Sequence, residues 1–421
     1  MVRTGGLVYL EKIAFLFPGQ GSQYVGMGRG LFDQFPIAKQ TFEEANEVLG
    51  FDLASLCFEG PAEEIQKTAY TQPAILTHSV AAYRVFMQEV GARPHYMAGH
   101  SLGEITALTC AGAIALSDAV SLVHKRGTFM QKAVVQGSGA MSVISNVDPL
   151  KVKAVCEEIA PEAQDVTVSN YNTPNQTVIS GTIRAVENAE SKLRQLGASA
   201  FRLNVSAPFH CPLMNEAAQE LEAELRSLSF LELKFPVISN LNGLPYSGSE
   251  DIVHHLTAQM VSPVQWSDTM SFLIGRGVDT AVEFGPSHVL RNMMRHTFPE
   301  VHSYSYDKEE DARSIEALFR VVPRPCFVSR CLAIAVCTKN HNRNEEKYEE
   351  GVIIPYRRVQ TMLQEINERG ESPTLEQKRY ALDMLRSVFL TKQTPEGEQQ
   401  ERFRQLHQET NDTVMLMEAG I

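Results

Sequence analysis

The 421-residue chain has one tryptophan, fewer positive than negative side chains (38 Lys and Arg against 50 Asp and Glu), and no apolar run near the about 18 residues that span a bilayer. The missing apolar run predicts no membrane contact. Met1 to Lys12 also lacks the long apolar core of a signal peptide, and a cytoplasmic location is the expectation. A formal net charge of -12 excludes a general nucleic-acid binder. Seven cysteines, an odd number without regular spacing or a paired C-x-x-C, exclude a disulfide framework and a zinc site, so no metal is expected. Long repeats and low-complexity blocks are missing too. What remains, 43% hydrophobic and 21% charged residues, is ordinary globular composition, and the length suits two or three domains.

One stretch stands out, Tyr96-Met97-Ala98-Gly99-His100-Ser101-Leu102-Gly103-Glu104. A short apolar run meets Gly-x-Ser-x-Gly, and a helix-like segment (Ile105 to Ala113) follows. This is the layout of a nucleophile elbow, a tight strand-to-helix turn that lifts a serine hydroxyl into a cleft. The helix N-terminus beneath the serine offers free N–H groups to a developing oxyanion. A bare Gly-x-Ser-x-Gly is also common in glycine-rich turns, so the other residues must decide.

Ile13 to Phe17 reads as a buried parallel strand running into Pro18-Gly19-Gln20-Gly21-Ser22-Gln23. That turn lies where α/β enzymes place ligand-contacting loops, and it lacks the Gly-Lys-Ser/Thr ending of a phosphate loop. The Gln20 and Gln23 amides are candidates to orient a substrate carbonyl. A helix is expected over Tyr70 to Val90, a strand over Pro94 to Ala98, and a helix from an N-cap at Ser117 through Val134. On that last helix Leu122, Arg126 and Phe129 share a face. A buried guanidinium there needs an anion, either a protein carboxylate such as Glu283 or a substrate carboxylate gripped in a fork; otherwise it snorkels to solvent.

Between Gly139 and Ser206 the pattern becomes strand (Ala140 to Ser145), helix (Pro149 to Ile159), two strands (Val166 to Asn170, Gln176 to Ser180) around the loop Tyr171 to Asn175, helix (Ala185 to Leu196), and strand (Phe201 to Val205). This βαββαβ order is that of a ferredoxin-like module, inserted in a larger α/β domain whose pattern resumes afterwards. The return brings His210 in a proline-flanked loop, Ser206 to Met214. Strands are expected at Lys234 to Ser239, Thr280 to Phe284 and His302 to Tyr306. After the punctuation at Arg324-Pro325, Phe327 to Cys337 reads as a strand. Val359, Met362, Leu363 and Ile366 follow at helical spacing with Gly370 as the stop, and Thr374 with Gln377 opens a second amphipathic helix.

Taken together the chain resembles the malonyl-CoA:acyl carrier protein acyltransferases over about residues 13 to 310. The motifs occur in that family's order: Phe-Pro-Gly-Gln-Gly-Ser-Gln from Phe17, Thr71-Gln72-Pro73-Ala74, Gly-His-Ser-Leu-Gly-Glu, Lys125-Arg126-Gly127, Asn172 with Gln176, Pro208-Phe209-His210, and Glu283-Phe284-Gly285-Pro286. The resemblance implies that Ser101 is the acyl-accepting nucleophile and His210 the general base, with His210 steadied by the backbone carbonyl of Gln259. It places the oxyanion hole at the N–H groups of Gln20 and Leu102. Arg126 becomes the clamp on the malonyl carboxylate, His100 and Phe209 border the acyl pocket, and Gln72 and Asn172 complete the substrate site.

The implied fold is α/β. It comprises a large α/β-hydrolase-like domain with a parallel sheet (residues 10–137 and 207–320), an inserted ferredoxin-like domain (138–206), and a C-terminal extension with a strand and helices (321–421). The implied partners are malonyl-CoA and an acyl carrier protein, with no resident cofactor and a monomeric chain. The extension departs from the minimal enzyme of fatty-acid synthesis and resembles discrete acyltransferases that serve polyketide synthase modules. Two enzymatic rivals remain. An α/β-hydrolase esterase would need an acidic triad member between serine and histidine, and none presents itself. An editing acyl hydrolase of the same fold fits less well with Arg126, which suits a carboxylated acyl group.

Overall fold

The computed structural model describes residues 12–133, 138–161, 165–205, 207–319, 326–342, 344–369 and 373–410. The chain opens with β1 (Ile13–Phe17), five apolar residues buried on both faces. After several helices, of which α1 (Thr68–Glu89) is the longest of that group, come β2 (Tyr96–Gly99), α2 (Leu102–Cys110) and α3 (Leu116–Lys132). Next are β3 (Gly139–Ser145), α4 (Pro149–Ile159), β4 (Val166–Thr173), β5 (Gln176–Thr182), α5 (Ile183–Gln195) and β6 (Ser199–Arg202). Then follow β7 (Val237–Ile238), α6 (Ile252–Gln259), β8 (Thr280–Glu283), α7 (Val289–Thr297) and β9 (His302–Ser305).

The strands form two sheets. One is parallel in the order β7-β2-β1-β8-β9; the other is antiparallel in the order β4-β5-β3-β6. In the parallel sheet Phe17 lies beside Gly99 and Leu16 beside Glu283. The turns after β1, β2 and β8 therefore open at one edge, where parallel α/β sheets bind ligands. The antiparallel sheet is tied to the segment just before Trp266, where Tyr171 N–H donates to Val264 C=O and Val264 N–H to Ser169 C=O, both at 2.9 Å.

Pro73 lies inside α1 and has no N–H to give the carbonyl of Ala69. His124 of α3 bonds that carbonyl through Nδ1 at 2.8 Å, so the proline's defect becomes a link between the two helices. Gly127 lets them close: a Cβ there would sit 2.5 Å from Thr68 O. This contact fixes the face of α3 that carries Arg126.

Three local expectations are corrected. α3 begins at Leu116 with extended Ala115 as its N-cap, so Ser117 is already inside the first turn. The stretch from Tyr171 is not a five-residue loop: Thr173 pairs with Gln176, which leaves only Pro174 and Asn175 to turn and puts Asn172 on a strand. The last small-sheet strand is Ser199–Arg202 rather than Phe201 to Val205. Ser206 and Val134 lie outside the described residues.

Residues from Arg320 onward form a second compact unit. Its described elements include α8 (Phe327–Cys337), α9 (Ile354–Arg369), α10 (Leu375–Thr391) and α11 (Glu396–Thr410). The strand expected over Phe327 to Cys337 is thus a helix. A continuous apolar run does not distinguish the two, but the burial does: Phe327, Val328, Cys331, Leu332, Ile334 and Ala335 are buried at a period near four, while Val336 is 65% exposed. They pack with Val359, Leu385, Val388 and Phe389 in a core of their own. Thr374 and Gln377 close a reciprocal capping box on α10. Arg324, Pro325 and Gly370 lie outside the described residues.

The separate core makes a prediction. Leu385 is fully buried in the second unit, whereas Trp266, the single tryptophan, is fully buried in the first. Leu385→Ala should cost the second unit about 2–5 kcal/mol. Helical circular dichroism should then be lost at lower denaturant while the midpoint of Trp266 fluorescence holds. A joint shift of both signals would show that the two cores unfold as one.

Candidate active site

Ser101 sits at the turn from β2 to α2 with φ 53° and ψ -107°, a strained conformation that few non-glycine residues adopt. Two neighbours must be glycine for the turn to close. A Cβ on Gly99 would lie 1.8 Å from Gly103 O, and one on Gly103 would lie 2.0 Å from Phe17 O. The N–H groups at the helix start can be accounted for one by one. Ser101 N–H donates to Asn240 Oδ1 at 2.6 Å, Gly103 N–H to His100 O at 2.9 Å, and Glu104 N–H to Ser101 O at 3.0 Å. Leu102, the first residue of α2, has no intrahelical acceptor by position, and it lines the cavity beside Ser101.

His210 follows β6 in a loop and also has positive φ, 58°. Its Nδ1 lies 2.8 Å from the carbonyl of Gln259, at the end of α6, and its Nε2 lies 2.7 Å from Ser101 Oγ. A carbonyl only accepts, so Nδ1 carries the hydrogen and Nε2 is left to accept from the serine hydroxyl. Burial, reinforced by the neighbouring Arg126 cation, pushes the imidazole down to about 3, against a smaller raising effect of the Gln259 carbonyl. The histidine is therefore a free base across the neutral range.

Arg126 is 1% exposed. Nη1 donates to Gln72 Oε1 at 2.9 Å, and Nη2 to Gln259 Oε1 at 2.9 Å and more loosely to Ser101 Oγ at 3.3 Å. Nε has no partner among the described residues. Burial pulls the guanidinium down to about 10, partly offset by Glu104. Glu283, one partner considered above, is not in this group: its carboxylate accepts the Leu290 and Arg291 N–H groups at the start of α7.

The remaining candidates gather around a cavity of about 250 Å³ lined by Gln20, Ser101, Arg126, Met141, Phe209 and His210 among others. His100 and Asn172 both line it, and His100 Nε2 lies 2.9 Å from Asn172 Oδ1. Gln72 lines it as well, although its side chain is occupied by Arg126 and Met130. The side-chain amides of Gln20 and Gln23 are each engaged at one end: Gln20 Nε2 donates to Thr68 Oγ1 and Gln23 Oε1 accepts from Gly21 N–H. Gln20 itself lines the cavity.

Sequence reasoning missed three residues. Asn240 bonds the Ser101 N–H with Oδ1 and the Gly99 carbonyl with Nδ2. Glu104 is completely buried behind the serine, and the Tyr246 hydroxyl donates to it. Glu104 stands in the elbow motif itself, but Asn240 and Tyr246 carry no signal in the sequence because they approach from more than 130 residues away. Among the described residues no group of three or more His, Cys, Asp or Glu side chains could hold a metal ion, and no helix is long and apolar enough to cross a membrane.

Comparison with known proteins gives a consistent picture. Residues 14–350 match the model of the acyl transferase domain. A malonyl CoA-acyl carrier protein transacylase of Bacillus subtilis is 35% identical over 395 residues, covering 93% of this chain and 99% of the relative. That coverage necessarily runs into the second unit. The Escherichia coli K12 protein of the same description is 45% identical over 287 residues, 68% of this chain and 93% of its own. Among solved structures, a type II PKS acyl-carrier protein in complex with its malonyl-transacylase matches with a TM-score of 0.71 and 40% identity, over 73% of this chain and 99% of that one.

The depressed His210 sets a pH expectation. A base that stays neutral down to about 3 produces no acid limb at the ordinary histidine value of 6.5. Acylation of Ser101 by an activated ester should therefore hold its rate from about pH 8 to about pH 5. An inflection near 6.5 would contradict this reading. The same shift makes the unfolded chain the better proton acceptor below about 6.5, so this residue's contribution to stability should fall as pH drops from there towards 3.

Proposed function

The chain belongs to the acyl transferase family, and we propose that Ser101 and His210 carry out its chemistry with Arg126 selecting the acyl group. The activity is that of a malonyl-CoA:acyl carrier protein transacylase, an enzyme of polyketide or fatty-acid synthesis. The observation that carries the residue assignment is the continuous line from Gln259 C=O through His210 to Ser101 Oγ, with Arg126 at the same oxygen.

In the first half-reaction His210 Nε2 takes the Ser101 proton as Oγ attacks the thioester carbonyl of malonyl-CoA. The N–H groups of Leu102 and Gln20 receive the developing oxyanion. The tetrahedral centre collapses to a malonyl-serine ester, the leaving CoA thiolate takes the proton from His210, and the histidine is again a free base. In the second half-reaction His210 deprotonates the phosphopantetheine thiol of the carrier, which displaces Ser101 and restores its proton. A neutral carbonyl behind the histidine suffices here, because a thiol ionises near about 8.5 and its thiolate leaves with little help from a strong acid. The second hydrogen of Arg126 Nη1, together with the Nη2 hydrogen that now makes only the long 3.3 Å contact to Ser101 Oγ, suits the malonyl carboxylate as a fork.

Three further readings rest on the same footing. Residues 10–137 and 207–320 form an α/β-hydrolase-like domain and residues 138–206 a ferredoxin-like insertion, which the strand order β4-β5-β3-β6 supports. Residues 321–421 form the C-terminal extension, helical in its described parts. We read the chain as a cytoplasmic monomer whose acyl pocket is bordered by His100, Phe209 and Asn172.

Incubation with malonyl-CoA should add one malonyl group to the intact protein, and Ser101→Ala should abolish the adduct. Addition of holo carrier protein should move the group to the carrier thiol. Release to water in preference to the carrier would favour an editing hydrolase. Arg126→Ala should lower malonyl transfer by about 10² to 10⁴-fold, from two charge-assisted bonds, while acetyl transfer holds or rises. Arg126→Lys should rescue only in part, since an ammonium cannot present the fork. An equal loss with both acyl groups would rule out the clamp.

A further inference from the structure

Glu104, in the first turn of α2, is completely buried. Its Oε2 accepts the Asn240 backbone N–H at 3.1 Å and Gln259 Nε2 at 2.6 Å, and its Oε1 accepts the Tyr246 hydroxyl at 2.5 Å. The direction of the Gln259 amide is forced. Its Nε2 also donates to the Ser101 carbonyl at 3.1 Å, and a carbonyl accepts only. Its Oε1 faces Arg126 Nη2 at 2.9 Å, and a guanidinium donates only. Burial raises the Glu104 carboxyl above its ordinary value, and the donors converging on it from Tyr246, Gln259 and Asn240 oppose that rise and favour the ionised form.

Among the described residues Arg126 has only neutral partners, the amides of Gln72 and Gln259 and the Ser101 hydroxyl. Glu104 thus stands one amide away from the guanidinium. A direct ion pair would fill the fork that a ligand carboxylate needs. A buried guanidinium with no nearby anion would be strongly disfavoured. The arrangement found here avoids both extremes.

We propose that Glu104 is a positioning residue for acyl selectivity: its carboxylate, relayed through the Gln259 amide, is the remote counter-ion of Arg126 and moderates its grip on the acyl carboxylate. The inference rests on the reading of Arg126 as the malonyl clamp. With Glu104 ionised, the malonyl-loaded site holds two carboxylates against one guanidinium; without that charge it holds one against one. Removing the charge while keeping the shape therefore strengthens malonyl binding and leaves acetyl binding alone. The malonyl-serine ester becomes more stable in the ground state, which slows its transfer to the carrier.

The test is Glu104→Gln in the full-length protein. A glutamine oxygen can still accept from Asn240 and Gln259, and its amide nitrogen can donate to the Tyr246 oxygen, so the shape and contacts are kept, with the Tyr246 bond reversed, while the charge is lost. Acylation of Ser101 by malonyl-CoA and by acetyl-CoA, transfer to the carrier, and melting temperature before and after malonylation are measured beside the wild type. The malonyl-CoA KM should fall relative to that for acetyl-CoA by a factor in the range typical of coupled sites, about 5 to 150. Malonylation should raise the melting temperature more than it does in the wild type. Equal changes for both acyl groups would reduce Glu104 to a structural role, and an unchanged or reversed preference would show no coupling; either overturns the proposal. If Glu104→Gln does not fold, Tyr246→Phe decides. It removes one donor from the carboxylate and should shift the preference in the same direction by a smaller factor, and a wild-type preference there overturns the proposal. A wild-type protein that takes up no malonyl at Ser101 would instead overturn the functional reading.

Discussion

A guanidinium buried to 1% exposure without a carboxylate in direct contact is the constraint around which this active site is arranged. Burial of that charge is tolerable only if every nearby dipole is turned the right way. Gln72 and Gln259 each present an amide oxygen to it, and Gln259 can do so only because its nitrogen end is held by Glu104 and the Ser101 carbonyl. The same Gln259 offers its backbone carbonyl to His210. One residue at the end of a helix therefore orients the base, the clamp and the nucleophile's backbone together.

The nucleophile depends on a second frame. Its strained backbone is held on both sides, at N–H by Asn240 and at C=O by Gln259, and the two glycines around it allow β1, β2 and α2 to approach closely. This clamping leaves Leu102 as the helix-start N–H without an internal use. Pre-organised donors of this kind act without reorganisation during the reaction, which is where much of their catalytic value lies.

Histidine 210 shows how the surroundings replace a third catalytic acid. A carboxylate behind the imidazole would favour its protonation strongly; the Gln259 carbonyl does so only weakly, and burial and Arg126 outweigh it and keep the ring neutral. That setting suits acyl transfer between thiols, whose thiolates leave readily, better than the expulsion of a poor leaving group such as an amine.

Local signals in the chain determined the elbow around Ser101, the run of βαββαβ elements, the loop carrying His210 and the capping box at Thr374, because each depends on residues close in sequence. Arg126 was marked out by its place between Leu122 and Phe129, but its partners were not: Gln259 lies 133 residues away, and nothing in the sequence shows that the carboxylate of Glu283, one of the two partners considered, is taken by the start of α7. Phe327 to Cys337 failed for a related reason. A short run that is apolar throughout suits strand or helix equally, and only packing against Val359, Leu385 and Phe389 selects the helix. Asn240, Tyr246 and the role of Glu104 were decided by tertiary structure alone, since the direction of an amide or the ionisation of a buried carboxyl is set by groups that the fold brings together and the order of residues does not.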